Sequence, residues 1–138
     1  MKTFAYALRV PFYDVDSMRV VYHGNYVKYL EEARCAYFEA QGLTYCDMEA
    51  AGFLLPVVSL NIKYIRPCLF NQRLSVQVTR ERANRNLLVL HYRVLDAESG
   101  ALCLKATTRQ AAIGLTSREL LFELPEGFLA RLDATDWA

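Results

Sequence analysis

The chain has 138 residues, of which 54% are hydrophobic and 22% charged, and a formal net charge of +1. A chain of this size buries about 68–70% of the surface its unfolded form exposes, so one core spanning residues 1–138 is expected. The apolar fraction excludes a disordered chain, no run of about 18 apolar residues exists to span a membrane, and the near-neutral total argues against a nucleic-acid binder driven by overall charge. The amino-terminal residues lack the apolar run of about 7–15 residues that marks a secretory leader, which predicts a cytoplasmic protein.

In chain order, Thr3–Phe12 is rich in aromatic and β-branched residues and reads as a first strand. Tyr13–Gly24 is a break. From Asn25 to Gln41, Tyr26, Leu30, Ala33 and Tyr37 fall at steps of four, three and four, the spacing of one helical face. Asn25 is a plausible N-cap, Lys28–Glu32 and Glu31–Arg34 are spaced to pair on the exposed side, and Gly42 fits the residue past the end. A short helical turn is expected over Thr44–Ala51.

After Gly52 the period changes to two. Leu54–Ile65 sets Val58, Leu60, Ile62 and Tyr64 against Ser59, Asn61 and Lys63. Leu74, Val76 and Val78 alternate with polar residues, Leu88, Leu90, Tyr92 and Val94 form another apolar face opposite His91 and Arg93, and Leu102–Leu115 continues as a long strand. Ala83–Asn86 and Glu98–Gly100 are turn-like, so the strands they join should be antiparallel neighbours. A last helix is expected near Glu126–Leu132. The order is strand, long helix, four strands, an α+β arrangement in which a one-faced sheet wraps the only long amphipathic helix.

The charge is unevenly spread. Residues 63–85 hold six basic side chains (Lys63, Arg66, Arg73, Arg80, Arg82, Arg85) and one acidic one, whereas residues 1–62 and 86–138 each hold five basic and seven acidic. This segment suits either a phosphate-bearing ligand or acidic partner, or a solvated outer sheet face. Cys35, Cys46, Cys68 and Cys103 show no zinc spacing and read as reduced thiols filling apolar gaps, and no metal site is expected.

The break before the long helix concentrates Asp14, Asp16, Tyr22, His23 and Gly24. A helix start offers unpaired N–H groups and partial positive charge that stabilise an oxyanion, and a nearby carboxylate such as Asp16 can attack an acyl carbon or deprotonate water. Acyl transfer is the reaction class this pairing suggests. Asp14 and Asp16 are equally good turn residues, and His23 and His91 are equally readable as structural.

The run Tyr13-Asp14-x-Asp16, then Val20-Val21-Tyr22-His23-x-Asn25-Tyr26, then Tyr-Leu-Glu-Glu-Ala-Arg, resembles the hot-dog acyl-CoA thioesterases of the 4-hydroxybenzoyl-CoA thioesterase and YbgC-like family. Ile62-Lys63-Tyr64-Ile65-Arg66-Pro67 resembles a later segment of that family. The resemblance implies a five-stranded antiparallel sheet around a central helix, a homodimer or homotetramer with the site between subunits, no metal and no cofactor. It implies an acyl-CoA or acyl-carrier-protein thioester as substrate, with Asp16 as nucleophile or general base, the His23 amide as oxyanion donor, and Tyr22 and His23 lining the site. Asn25, Lys63, Arg66 and Arg82 are then substrate-binding candidates, the three cations for the phosphates of CoA or an acidic carrier. Where that family commonly has small residues and glycine, this chain has Ser17-Met18-Arg19. A hydratase or dehydratase on the same fold, and a non-catalytic acyl-thioester-binding module, are the competing readings.

Overall fold

In the computed structural model, which describes residues 3–135, the four-three-four spacing of Tyr26, Leu30, Ala33 and Tyr37 becomes the buried stripe of helix α1 (Tyr26–Glu39), widened by Tyr29 and Phe38. The remaining elements are strand β1 (Phe4–Arg9), helix α2 (Tyr45–Ala50), strands β2 (Phe53–Leu54), β3 (Val57–Tyr64), β4 (Arg73–Arg80), β5 (Leu87–Asp96), β6 (Leu102–Ala111) and β7 (Ile113–Gly114), and helix α3 (Glu126–Thr135). Thr44 starts α2 with a reciprocal capping box to Asp47, which satisfies two otherwise unpaired N–H groups.

Five strands form one antiparallel sheet in the order β1-β4-β5-β6-β3. Its inner face carries Leu74, Val76 and Val78 of β4, Leu88, Leu90, Tyr92 and Val94 of β5, and Leu104 and Ala106 of β6, all buried. Each fully buried aliphatic side chain contributes about 1.5–3 kcal/mol, so this alternation is what holds the sheet on the helix. The short turns make β4, β5 and β6 sequential neighbours as expected. Strand β3 instead crosses to the far edge beside β6, and α1 packs closest over β1 and β4. The inner face of β3 is therefore only partly covered: Ile62 packs against the core, while Val58, Leu60 and Tyr64 stay about half exposed.

Several expectations are corrected. The strand expected over Leu54–Ile65 and the one over Leu102–Leu115 are each broken, near Pro56 and at Ala112, and the stubs β2 and β7 pair with each other in a separate ribbon. Proline supplies no N–H to a ladder; its carbonyl accepts the Ala111 N–H at the junction instead. Asn25 does not cap α1: a 3-10 turn, His23–Asn25, precedes the helix, and the Asn25 side chain donates to the Asp14 carbonyl at 2.9 Å. The two expected helix-surface pairs are replaced by longer-range partners. Lys28 reaches Asp14, and Arg34 is buried against the Tyr45 and Tyr92 hydroxyls. Cys68 and Cys103 are buried as expected, but Cys46 is exposed.

The basic segment does not form one surface. Arg80 faces inward and is only 2% exposed, its Nη2 donating to Asp133 Oδ1 of α3 at 2.9 Å, with Arg82 and Arg85 at 3.7 and 3.5 Å from the same carboxylate. Burial raises the Asp133 pKa, but the three guanidinium groups prevail and hold it below its ordinary value. A carboxylate lowered in the folded state stabilises fully above its unfolded pKa near 4, and that contribution is lost as pH falls through the lowered value. Asp133→Asn should therefore cost about 1–2 kcal/mol in denaturant unfolding at pH 7 and flatten the fall of Tm below pH 4.

Candidate active site

Asp14–Tyr22 folds back as a small hairpin: Val15 bridges Val21, Tyr22 N–H donates to the Asp14 carbonyl, and Asp16 N–H donates to the Val20 carbonyl. The turn closes with Arg19 N–H on the Asp16 carbonyl, and Arg19 takes a left-handed φ of 67°. That conformation favours glycine. The departure at Ser17-Met18-Arg19 thus preserves the turn while placing a strained cation and an exposed Met18 at its tip.

Asp16 sits at this tip, half-buried. Its Oδ1 accepts the Met18 N–H at 2.8 Å, an Asx turn that orients the carboxylate, and among the described residues no protein group donates to Oδ2. The hairpin leads directly into the 3-10 turn His23–Asn25 and then α1. Asn25 N–H is used by the Tyr22 carbonyl, whereas the His23 and Gly24 N–H groups donate to no described residue. They are the orphan donors of a helix start. A Cβ on Gly24 would lie 2.8 Å from the Tyr22 ring, so a side chain there displaces that ring.

Aromatic residues wall the turn. The Tyr22 and His23 rings lie 4.4 Å apart between centroids, tilted by 43°, and Tyr64 of β3 donates its hydroxyl to the His23 carbonyl at 2.9 Å while packing edge-on against Tyr26. Tyr64 lies in a motif already singled out, but its contact with a turn 41 residues away has no local signal.

The residue that sequence reasoning left aside holds the assembly together. Asp14 is 2% exposed; Lys28 Nζ approaches its Oδ1 at 2.6 Å and the Tyr29 hydroxyl donates to Oδ2 at 2.7 Å. Burial first, and the Asp14 carboxylate second, push the Tyr29 pKa up, so the hydroxyl stays a proton donor. With Tyr22 N–H and Asn25 Nδ2 on its carbonyl, Asp14 ties the hairpin, the 3-10 turn and the first turn of α1 into one unit.

The other candidates are dispersed. Lys63 and Arg66 are exposed on and just beyond the end of β3, next to Tyr64, while Arg82 stands with Asp133 beyond the end of β4, several residue rows and three strands away. His91 is exposed on the outer sheet face, its Nδ1 3.0 Å from Thr107 Oγ1. Among the described residues no group of three or more His, Cys, Asp or Glu gathers as a metal site. A groove of about 730 Å3 runs between β1 and α1, lined by Tyr6, Tyr13, Asp14, Lys28 and Glu32 among others, and contains neither Asp16 nor His23.

The hairpin thus carries a half-exposed carboxylate with a free oxygen and opens into two unused backbone donors, groups that acyl-group chemistry can use. The family model of the thioesterase-like superfamily matches residues 10–132, and the chain belongs to that superfamily. YneP of Bacillus subtilis, provisionally named an acyl-CoA thioesterase, is 33% identical over 106 residues, 77% of this chain and 76% of that protein. A 1,4-dihydroxy-2-naphthoyl-CoA hydrolase of Synechocystis is 29% identical over 120 residues, 86% of this chain and 87% of the hydrolase. The crystal structure of Slr0204, a 1,4-dihydroxy-2-naphthoyl-CoA thioesterase from Synechocystis, superposes with a TM-score of 0.86 at 26% identity, covering 95% of this chain and 96% of that one. The fold is the hot-dog expected from the resemblance.

Asp14→Ala leaves the buried Tyr29 hydroxyl without its acceptor and should cost about 3 kcal/mol in denaturant unfolding. Faster amide exchange at Tyr22 and Asn25 should accompany it, with smaller effects for Asp14→Asn.

Proposed function

We propose that this chain is a cytoplasmic thioesterase, one hot-dog domain that hydrolyses the thioester of an acyl-CoA or of an acyl chain on a carrier protein. The observation that carries this reading is the Asp16 carboxylate, with one oxygen unbonded, on the same hairpin as the orphan N–H groups at His23 and Gly24. The His23 amide receives the thioester carbonyl oxygen, with the Tyr22 and His23 rings beside it. Asp16 then either attacks the acyl carbon, expelling the thiolate and leaving an anhydride that water cleaves, or removes a proton from the water that attacks. Both routes end in a carboxylic acid and a free thiol. Asn25 supports the site by holding the Asp14 carbonyl, and the exposed side chains of Lys63 and Arg66 are assigned to the phosphates of CoA. Arg82, committed to Asp133, is left out of this assignment. Cytoplasmic residence is in keeping with four cysteines that are all free thiols; among the described residues no helix is long and apolar enough to cross a membrane.

We assign the working form to a homodimer or a tetramer of such dimers, with the site completed between subunits. Support comes from β3, an edge strand whose inner face exposes Val58, Leu60 and Tyr64, followed by exposed Ile65. An uncapped apolar edge of this kind pairs with another chain. The edge lies beside the turn that Tyr64 touches, so a second subunit there closes the site against water.

Asp16→Asn should reduce kcat on a panel of short, long and aromatic acyl-CoAs by about 10²–10⁴ with folding and assembly intact; undiminished turnover would remove Asp16 from the mechanism. Leu60→Asp should shift sedimentation to the monomer and lower turnover in parallel. A monomer with full activity would show that one subunit suffices.

A further inference from the structure

Most cations of this chain that lie near the core are neutralised. Lys28 has Asp14, and Arg80, Arg82 and Arg85 share Asp133. The outer face of the sheet is different. Strand pairing sets Lys63 directly opposite Lys105, and Lys105 directly opposite Arg93, so three exposed cations stand side by side across β3, β6 and β5. At a strand spacing of about 4.8 Å all three lie within about 10 Å, and like charges directly opposed destabilise a sheet. None has a carboxylate partner among the described residues, and the four strands β3 to β6 contain a single acidic residue, Asp96, at the very end of β5.

The next row on the same face, two residues along, is Asn61, Thr107 and His91, again direct cross-strand neighbours. These side chains add further hydrogen-bonding groups beside the cations. Both rows line one groove of about 580 Å3, with Leu102 at one end. That volume is on the scale of a small-molecule ligand. The face does not offer the run of apolar side chains that a membrane surface would bury.

We propose that this outer face is an anion site for a phosphorylated small molecule, whose phosphate groups bridge Lys63, Lys105 and Arg93 and accept further hydrogen bonds from Asn61, Thr107 and His91. The bound anion supplies the countercharge that the fold omits. Two sources share this chemistry: the nucleotide phosphates of CoA, and a free phosphorylated ligand.

The test uses inorganic pyrophosphate, titrated by calorimetry and thermal shift into the full chain at low salt. The wild type should bind and gain Tm, binding should weaken as salt rises, and Lys105→Gln and Arg93→Gln should each weaken it about tenfold. Because Lys105→Gln also relieves the repulsion, its Tm without ligand should equal or exceed that of the wild type, which separates lost binding from lost folding. Kinetics then distinguish the sources. A raised KM for acyl-CoA but not for the matching acyl-pantetheine in Lys105→Gln identifies CoA, and unchanged KM values for both identify a free ligand. No pyrophosphate binding by the wild type up to about 10 mM, or binding undiminished in both variants, overturns the proposal. Because pyrophosphate binding needs no turnover, this outcome is independent of whether the thioesterase reading holds.

Discussion

Burying the Asp14 carboxylate is the constraint on which the candidate site depends. A carboxyl group that is 2% exposed is tolerated only when its oxygens are engaged, and here Lys28 takes one and the Tyr29 hydroxyl the other. Both partners lie on the first turn of α1, so satisfying the charge fixes the hairpin against the helix. The Asp14 carbonyl then holds Tyr22 and Asn25 on either side of His23. Asp16 and the two unused N–H groups inherit their relation to each other from this clamp. A turn held by a buried, packed layer of this kind keeps its side chains more precisely placed than a free loop allows.

A second consequence follows from where the helix lies. Helix α1 covers β1 and β4, and the sheet order carries β3 to the opposite edge, so Val58, Leu60 and Tyr64, although of the right period, are only half covered within the chain. The same strand presents Tyr64 to the His23 turn on its inner face and Lys63 to the cationic row on its outer face. One edge strand therefore touches the proposed site, the proposed subunit contact and the proposed anion groove.

Charge placement separates two uses of arginine and lysine. Around Asp133 the cations tie α3 to the end of the sheet, and burial of Arg80 makes that pairing structural. On the outer face, Lys63, Lys105 and Arg93 repel one another with no carboxylate partner among the described residues. The basic stretch over residues 63–85 divides between these two settings, and two members of the outer-face row lie outside it.

The sequence by itself determined the periods: a four-three-four stripe that becomes the buried side of α1, strands of alternating polarity, and turn residues that make β4, β5 and β6 neighbours. These are local properties, because side-chain spacing and turn chemistry act over a few residues. The loop motif likewise carries the family resemblance, and Asp16 and His23 are candidates by that resemblance. Only the tertiary structure decided that β3 lies beside β6, that Pro56 and Ala112 break two long strands, that Arg80 turns inward, and that Lys28 and Arg34 serve partners other than the neighbouring glutamates. It likewise made Asp14, not Asn25, the anchor of the helix start. Each of these depends on which distant residue a charge or hydroxyl meets once the chain is folded, and spacing along the chain carries no record of that.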